Sequence, residues 1–136
     1  MKYLLDTNVL IQVLRAKEPR HILERIEQHA EDEIVVCAVV RMELIAGALR
    51  SDRADQNLLL VEELLGDFDS LPLDDAAADQ AGRVRAVLES AGKSIGPNDL
   101  LIAGIALSNN LTLVTHNTAE FSRIPGLNIE DWERPV

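Results

Sequence analysis

Three acids stand at the end of an apolar element or on a core-facing helix face: Asp6, Asp99 and Glu43. Asp6 closes the run Met1-Lys2-Tyr3-Leu4-Leu5 and precedes Thr7-Asn8, which places it at the carboxyl end of a predicted buried strand. In open α/β sheets that edge is where ligands and metals bind, at the point where the strand order reverses. Asp99 falls in the first turn of a predicted helix that continues from Leu100 to Leu107 without a polar side chain. A helix apolar all round lies at the centre of its fold. Helical spacing puts Glu43 on one face with Val39, Val40, Ala46 and Gly47, the face turned toward the core.

Carboxylates converging in one pocket repel each other unless a divalent cation lies between them, and an oxygen-only donor set suits Mg²⁺ or Mn²⁺. No pair of histidines or cysteines has the spacing of a zinc site. A phosphate loop of Walker type and a nucleophile elbow are also missing, so neither P-loop nucleotide hydrolysis nor serine acyl transfer has support. Each acid has a plainer role open to it. Asp6 can cap the helix after its strand, and Asp99 can interact with its helix N-terminus. Glu43, unable to stay ionised in a core without a partner, can pair with an arginine. Arg41 and Arg50 are near in sequence, but neither has the three- or four-residue spacing that places side chains together on a helix.

Asn117 follows the predicted strand Leu111–Thr115 and so occupies the same kind of strand-end position as Asp6. Its neutral amide can hold a water or a substrate oxygen but adds no charge to a metal site. Thr7, Asn8 and Thr115 are candidates for orienting the acids or touching substrate, with helix capping as their other reading. His116 has the pKa range of a general base, while its place in a turn favours a solvent-exposed histidine.

The elements that must position these groups alternate. Lys2–Asp6 reads as a strand, and Thr7 to about Arg15 as a helix capped by Thr7 or Asn8. Pro19 opens a second helix that runs to His29. A strand at Glu33–Cys37 follows, then helices at Ala38–Leu49 and Arg53–Leu65. Asp69–Leu71 is a short strand stopped by Pro72, and Asp74–Ala91 a helix with Gly92 as its stop signal. The loop Ser94–Asn98 leads into a helix ending near Asn109, followed by the strand Leu111–Thr115. One helical turn at Thr118–Ser122 and an edge strand at Leu127–Ile129 complete the pattern. Strand–helix alternation requires crossover connections, hence a three-layer α/β/α sandwich around a mainly parallel sheet.

At 136 residues the chain fits one domain, 1–136, able to bury a core without disulfides. Hydrophobic and charged contents of 47% and 26% describe a globular protein rather than a disordered one. The single cysteine, Cys37, sits inside the apolar run Ile34–Ala38 and reads as a core residue in a reducing compartment. With no signal-type or membrane-spanning segment, cytoplasm is the expected location. A net charge of −10 repels polyanions at long range. Contact with nucleic acid would therefore need clustered basic residues or divalent cations. An aromatic content of 3% argues against base stacking and leaves the nucleic-acid backbone as the main contact.

Four segments in register resemble the PIN-domain toxins called VapC: Leu4-Leu5-Asp6-Thr7-Asn8; Met42-Glu43-Leu44 with Gly47; Ile95-Gly96-Pro97-Asn98-Asp99-Leu100-Leu101-Ile102-Ala103; and Leu113-Val114-Thr115-His116-Asn117-Thr118-Ala119-Glu120-Phe121. The similarity extends to Gly126-Leu127 and Glu130-Asp131-Trp132. It implies a Mg²⁺- or Mn²⁺-dependent endoribonuclease, the toxin of a toxin–antitoxin pair, homodimeric and inhibited by a VapB-type antitoxin through which it meets DNA only indirectly. Carried onto this sequence, the metal-binding and catalytic acids are Asp6, Glu43 and Asp99. The fourth acidic position of many PIN domains matches Asn117, which argues against a tightly held second ion. Relatives with this pattern look similar to toxins that cut initiator tRNA in its anticodon region. Such chemistry activates water for in-line attack and leaves a 3′-hydroxyl and a 5′-phosphate. Arg15, Lys17 and Arg20 are candidates for backbone contacts, with a solvated helix face as their other reading.

Competing functions separate by residue type. A haloacid-dehalogenase-like phosphatase needs a second aspartate where Asn8 stands, and a receiver-type signalling module needs an acidic pair and a late lysine that the chain lacks. A PIN-like RNA-processing nuclease without a toxin role and a catalytically silent metal-binding module remain as alternatives.

Overall fold

The computed structural model describes residues 1–15 and 20–134, with Arg20 described in its backbone alone. Strand β1 (Tyr3–Leu5) feeds helix α1 (Thr7–Arg15), and α2 (Arg20–Glu27) leads to β2 (Ile34–Cys37). Helices α3 (Ala38–Leu49) and α4 (Ala54–Gly66) precede β3 (Asp69–Leu71). After α5 (Asp75–Ser90) and α6 (Pro97–Ser108) come β4 (Thr112–Val114), α7 (Thr118–Phe121) and β5 (Ile129–Glu130). The strands form one sheet in the order β3-β2-β1-β4-β5, and every pairing is parallel.

Leu4, Leu5, Val35, Val36, Leu113 and Val114 are all 0% exposed. Successive strand residues point to opposite faces, so burial of both members of each pair means that helices cover both sides of the sheet. The expected α/β/α layering follows. The chain moves outward from β1 through β2 to β3, then returns to the other side of β1 with β4. The strand order therefore reverses between β1 and β4, and the carboxyl ends of these two strands open a crevice there. Asp6 and Thr115 are the residues that follow them.

Helix α6 crosses the core with Ile102, Ala103, Gly104, Ile105 and Ala106 buried. Gly104 lets it approach α5 closely. A Cβ there would lie 2.5 Å from the Ala77 carbonyl oxygen and 2.9 Å from the Ala81 Cβ. The Asp74 carboxylate caps α5 by accepting from Ala77 N at 3.0 Å. Gly92, with φ of +68°, ends the helix as expected. Near the C-terminus, Trp132 is fully buried, edge-on to Tyr3 at 5.1 Å and parallel to His29 at 5.5 Å between ring centres.

Some boundaries differ from the sequence reading for local reasons. The α2 start at Pro19 lies outside the described residues, and α2 ends at Glu27 rather than His29. A short 3₁₀ turn at Glu31–Glu33 was not foreseen; the Glu33 carboxylate closes it by accepting from Ala30 N at 3.0 Å. The last strand is Ile129–Glu130, because pairing with Leu113 and Val114 fixes its register. Among the described residues no helix is long and apolar enough to cross a membrane.

Candidate active site

Asp6 is 3% exposed, yet both its oxygens are engaged. Oδ1 accepts from Thr7 N and Oδ2 from the Thr115 hydroxyl, each at 2.8 Å. Its carbonyl also accepts from Val9 and Leu10 N, so Asp6 itself, rather than Thr7 or Asn8, caps α1. Capping and site formation are thus compatible roles of one residue. Burial pushes the Asp6 carboxyl above its ordinary value of 3.8; the Thr115 and Thr7 hydrogen bonds pull it down, while the nearby charges of Glu43 and Glu120 push it up.

The Thr7 hydroxyl donates to Glu43 Oε1 at 2.7 Å, so one residue ties Asp6 and Glu43 together. The Asn98 amide reaches the other oxygen, Oε2, at a long 3.5 Å. Val39 and Val40 keep the first turn of α3 in the core, and one turn later Glu43, Ala46 and Gly47 line a cavity. None of the ion pairs among the described residues joins Glu43 to Arg41 or Arg50. Among the described residues Glu43 therefore has no arginine partner.

The cavity, of about 390 Å³, is lined by Asp6, Thr7, Asn8, Glu43, Asn98 and Asp99 together with Met42 and Arg50. Asn8 is exposed and stands on its wall. Asp99 is half-buried, and its carboxyl is pushed up to about 7 by desolvation first, then by the Asp6 charge and by a hydrogen bond with Glu120. Glu120 moves the opposite way. Gly96 N donates to its Oε1 at 2.8 Å and the Asn117 amide to its Oε2 at 2.6 Å, so its carboxyl lies below the usual range. In the shared hydrogen bond the proton belongs to Asp99 and the charge to Glu120.

Glu120 is the acid that sequence reasoning passed over. The strand-end position was assigned to Asn117, whose amide adds no charge, but Asn117 also opens the short helix α7 and holds Glu120 three residues later. The spacing Asn117-x-x-Glu120, that of a capping box, was the available signal. Asn117 also donates from its backbone N to Thr115 Oγ1 at 3.0 Å, which leaves the hydroxyl proton for Asp6. Asn117 itself adds no charge, but its amide holds Glu120, whose carboxylate hydrogen-bonds Asp99.

His116 does not line the cavity. Its Nδ1 lies 3.0 Å from Asp131 Oδ2 and 3.4 Å from Glu133 Oε2, and the Arg134 guanidinium already covers Asp131 at 3.1 Å. It is an exposed histidine holding the C-terminal residues, not a base directed at the acids. Arg15 ends α1 with its side chain exposed; Lys17 and the side chain of Arg20 lie outside the described residues. Cys37 is fully buried at the start of α3, where burial pushes its thiol upward, as fits a core residue.

Among the described residues only His116, Asp131 and Glu133 bring metal-ligand atoms of three groups within 4.8 Å of one another. Asp6, Glu43 and Asp99, the acids that line the cavity, do not bring their oxygens that close together, and Glu120 is hydrogen-bonded to Asp99 behind them. Their donors are all oxygen, and mutual repulsion helps raise Asp6 and Asp99. A hard divalent cation is the species this set fits.

A family model described as PIN domain matches residues 3–127. The chain is 40% identical to the tRNA(fMet)-specific endonuclease VapC of Shigella flexneri over 132 residues, 97% of this chain and 98% of that protein. The chain belongs to the VapC family of PIN-domain proteins. Its fold is that of VapC in a solved DNA-bound VapBC complex from Salmonella typhimurium, with a TM-score of 0.92, 41% identity and coverage of 97% and 98% of the two chains. VapBC2 from Rickettsia felis, bound to a DNA fragment from its promoter, matches with a TM-score of 0.90 at 34% identity, covering 97% of this chain and 99% of that one. In this fold the cavity at the strand-order switch is lined by Asp6, Glu43 and Asp99 with Thr7 and Asn98, and Glu120 is hydrogen-bonded to Asp99.

Proposed function

We propose that the chain, as a single nuclease unit, is the toxin of a type II toxin–antitoxin system. It is an endoribonuclease dependent on Mg²⁺ or Mn²⁺, acting in the cytoplasm on initiator tRNA in the anticodon region. The observation that carries this reading is the cavity where Asp6, Glu43 and Asp99 face one another at the strand-order switch, with Glu120 bonded to Asp99. Asp6, Glu43, Asp99 and Glu120 would hold the ion. When bound, it supplies Lewis-acid polarisation of a phosphoryl oxygen and a water acidic enough to attack near neutral pH.

The chain's own groups prepare that chemistry. Thr7 and Thr115 fix both oxygens of Asp6, and Thr7 also fixes one of Glu43, so these acids keep their orientation without an ion. Gly96 and Asn117 keep Glu120 ionised, while Asp99 retains a proton near neutral pH that limits repulsion in the ion-free site. Water, rather than the ribose 2′-hydroxyl, is the nucleophile, and the products carry a 3′-hydroxyl and a 5′-phosphate.

The partner is a VapB-type antitoxin, and the toxin acts as a homodimer that meets DNA only through that partner. An acidic cavity on a protein of net charge −10 favours an inhibitor that inserts an arginine or another basic side chain. Beside the cavity, and sharing Ile11, Glu43 and Gly47 with it, runs a groove lined also by Leu14, Leu44, Leu60 and Val61. This neighbourhood suits an antitoxin segment with one apolar face and a basic side chain at the cavity.

The test is to sequence 5′-phosphorylated RNA ends after induction of wild type, Asp6→Asn and Asp99→Asn. Ends in the initiator-tRNA anticodon loop should appear with wild type alone, together with growth arrest. Equal toxicity from folded Asp6→Asn or Asp99→Asn would refute the site.

A further inference from the structure

Arg50 stands on the wall of the acidic cavity but makes no ion pair among the described residues. As the C-terminal cap residue of α3, its residue type is favoured by the helix dipole, but that preference does not account for its place on this wall. The helical repeat accounts for it. Glu43, Ala46, Gly47 and Arg50 fall on one stripe of α3, and the two small residues leave the path from the carboxylate to the guanidinium open. Seven residues of helix separate Glu43 from Arg50 by about 10 Å along the axis.

We propose that Arg50 binds a phosphate of the RNA strand flanking the phosphodiester that is cut. This rests on the nuclease reading and names a positioning contact within it. The carboxylates repel a polyanion and the chain is acidic overall, so an unpaired guanidinium at the cavity is the group that gives an approaching strand an attractive contact. Its planar fork matches two phosphate oxygens. At about 10 Å from Glu43 along the helix, Arg50 reaches past the reacting phosphate, so it governs binding of the strand rather than the chemical step.

The experiment uses the inactive Asp99→Asn background and a fluorescently labelled initiator-tRNA anticodon stem-loop, with Kd measured by anisotropy across a series of salt concentrations. Adding Arg50→Gln should weaken binding roughly tenfold and flatten the slope of log Kd against log salt by about 0.7, the loss of one phosphate contact to a single strand. Arg50→Lys should restore the slope. In the active protein Arg50→Gln should raise KM and leave kcat within about twofold, the pattern of lost uniform binding. Its Mn²⁺ affinity by calorimetry should not fall, because Arg50 does not hold the acids.

An unchanged Kd and salt slope in Arg50→Gln would overturn the assignment. So would weakened Mn²⁺ binding, which would make Arg50 a support of the carboxylates, or a weakened antitoxin complex with RNA binding intact. Failure of the Asp99→Asn protein itself to bind the stem-loop would sink the nuclease reading and this inference with it.

Discussion

At pH 8 in a chelating buffer, Asp99→Asn should melt at a higher temperature than wild type, although it removes a group from the centre of the site. The Asp99 carboxyl is held at about 7 in the fold against 3.8 ordinarily. At about 1.4 kcal/mol per decade that displacement corresponds to roughly 4 kcal/mol against the folded state. Asp99 is half-exposed, and screening by solvent brings the expected effect down to roughly 1–2 kcal/mol. Between pH 3.8 and about 7 the folded chain keeps a proton that the unfolded chain has lost, so stability falls as pH rises through this window. Above it the destabilisation is complete and constant. Asparagine has nothing to ionise, and for a chain of this length its advantage at pH 8 should be roughly 3–8 °C in Tm. At pH 4 the two proteins should melt together. Saturating Mn²⁺ should stabilise the wild type and not the variant, which removes or reverses the order. Differential scanning calorimetry at both pH values, with and without Mn²⁺, measures all of this. A variant less stable than wild type at pH 8 without metal, or a gap of the same size at pH 4, would refute the claim that uncompensated carboxylate charge loads the ion-free site.

Three further outcomes follow from the same geometry. Glu120→Gln should lower the pKa of Asp99, because it removes an adjacent charge; carboxyl-carbon NMR titration reads the direction, and an upward move would contradict it. Thr115→Val should leave the sheet intact, destabilise by about 1 kcal/mol through the lost bond to Asp6, and reduce RNA cleavage at least tenfold. Unchanged cleavage would make Thr115 a bystander. Gly104→Ala should destabilise by about 2–3 kcal/mol in denaturant unfolding, since a new Cβ meets the α5 backbone at 2.5 Å; a neutral result would show that α5 and α6 separate freely.

The central elements were readable because burial on both faces writes an uninterrupted apolar run. Tyr3–Leu5 and Ile34–Cys37 are such runs, and the polar residue that follows the first, Asp6, lines the acidic cavity. The α3 boundaries Ala38–Leu49 also matched, and with them the face that carries Glu43. At the edges the signal weakens. β5 takes its register from backbone bonds such as Thr115 N to Glu130 O at 2.9 Å, which leave no pattern in side chains. Glu120 was hidden for a related reason. It reaches Asp99 from a four-residue helix, too short for periodicity, and is held by two donors, Gly96 and Asn117, whose meeting is a product of tertiary structure. Arg50 could be placed relative to Glu43 by counting helical turns, but only the packed α3 shows that the stripe between them faces open space.

The four acids stand at positions 6, 43, 99 and 120, each on a different element or at its end. Asp6 receives its Thr115 bond only when β4 has paired with β1, and Glu120 arrives one turn after β4 ends. During synthesis the N-terminal strands can form and pair while the ribosome still holds the residues that complete the cavity. A chain made only as far as β3 therefore lacks the groups that fix Asp6 and hydrogen-bond Asp99.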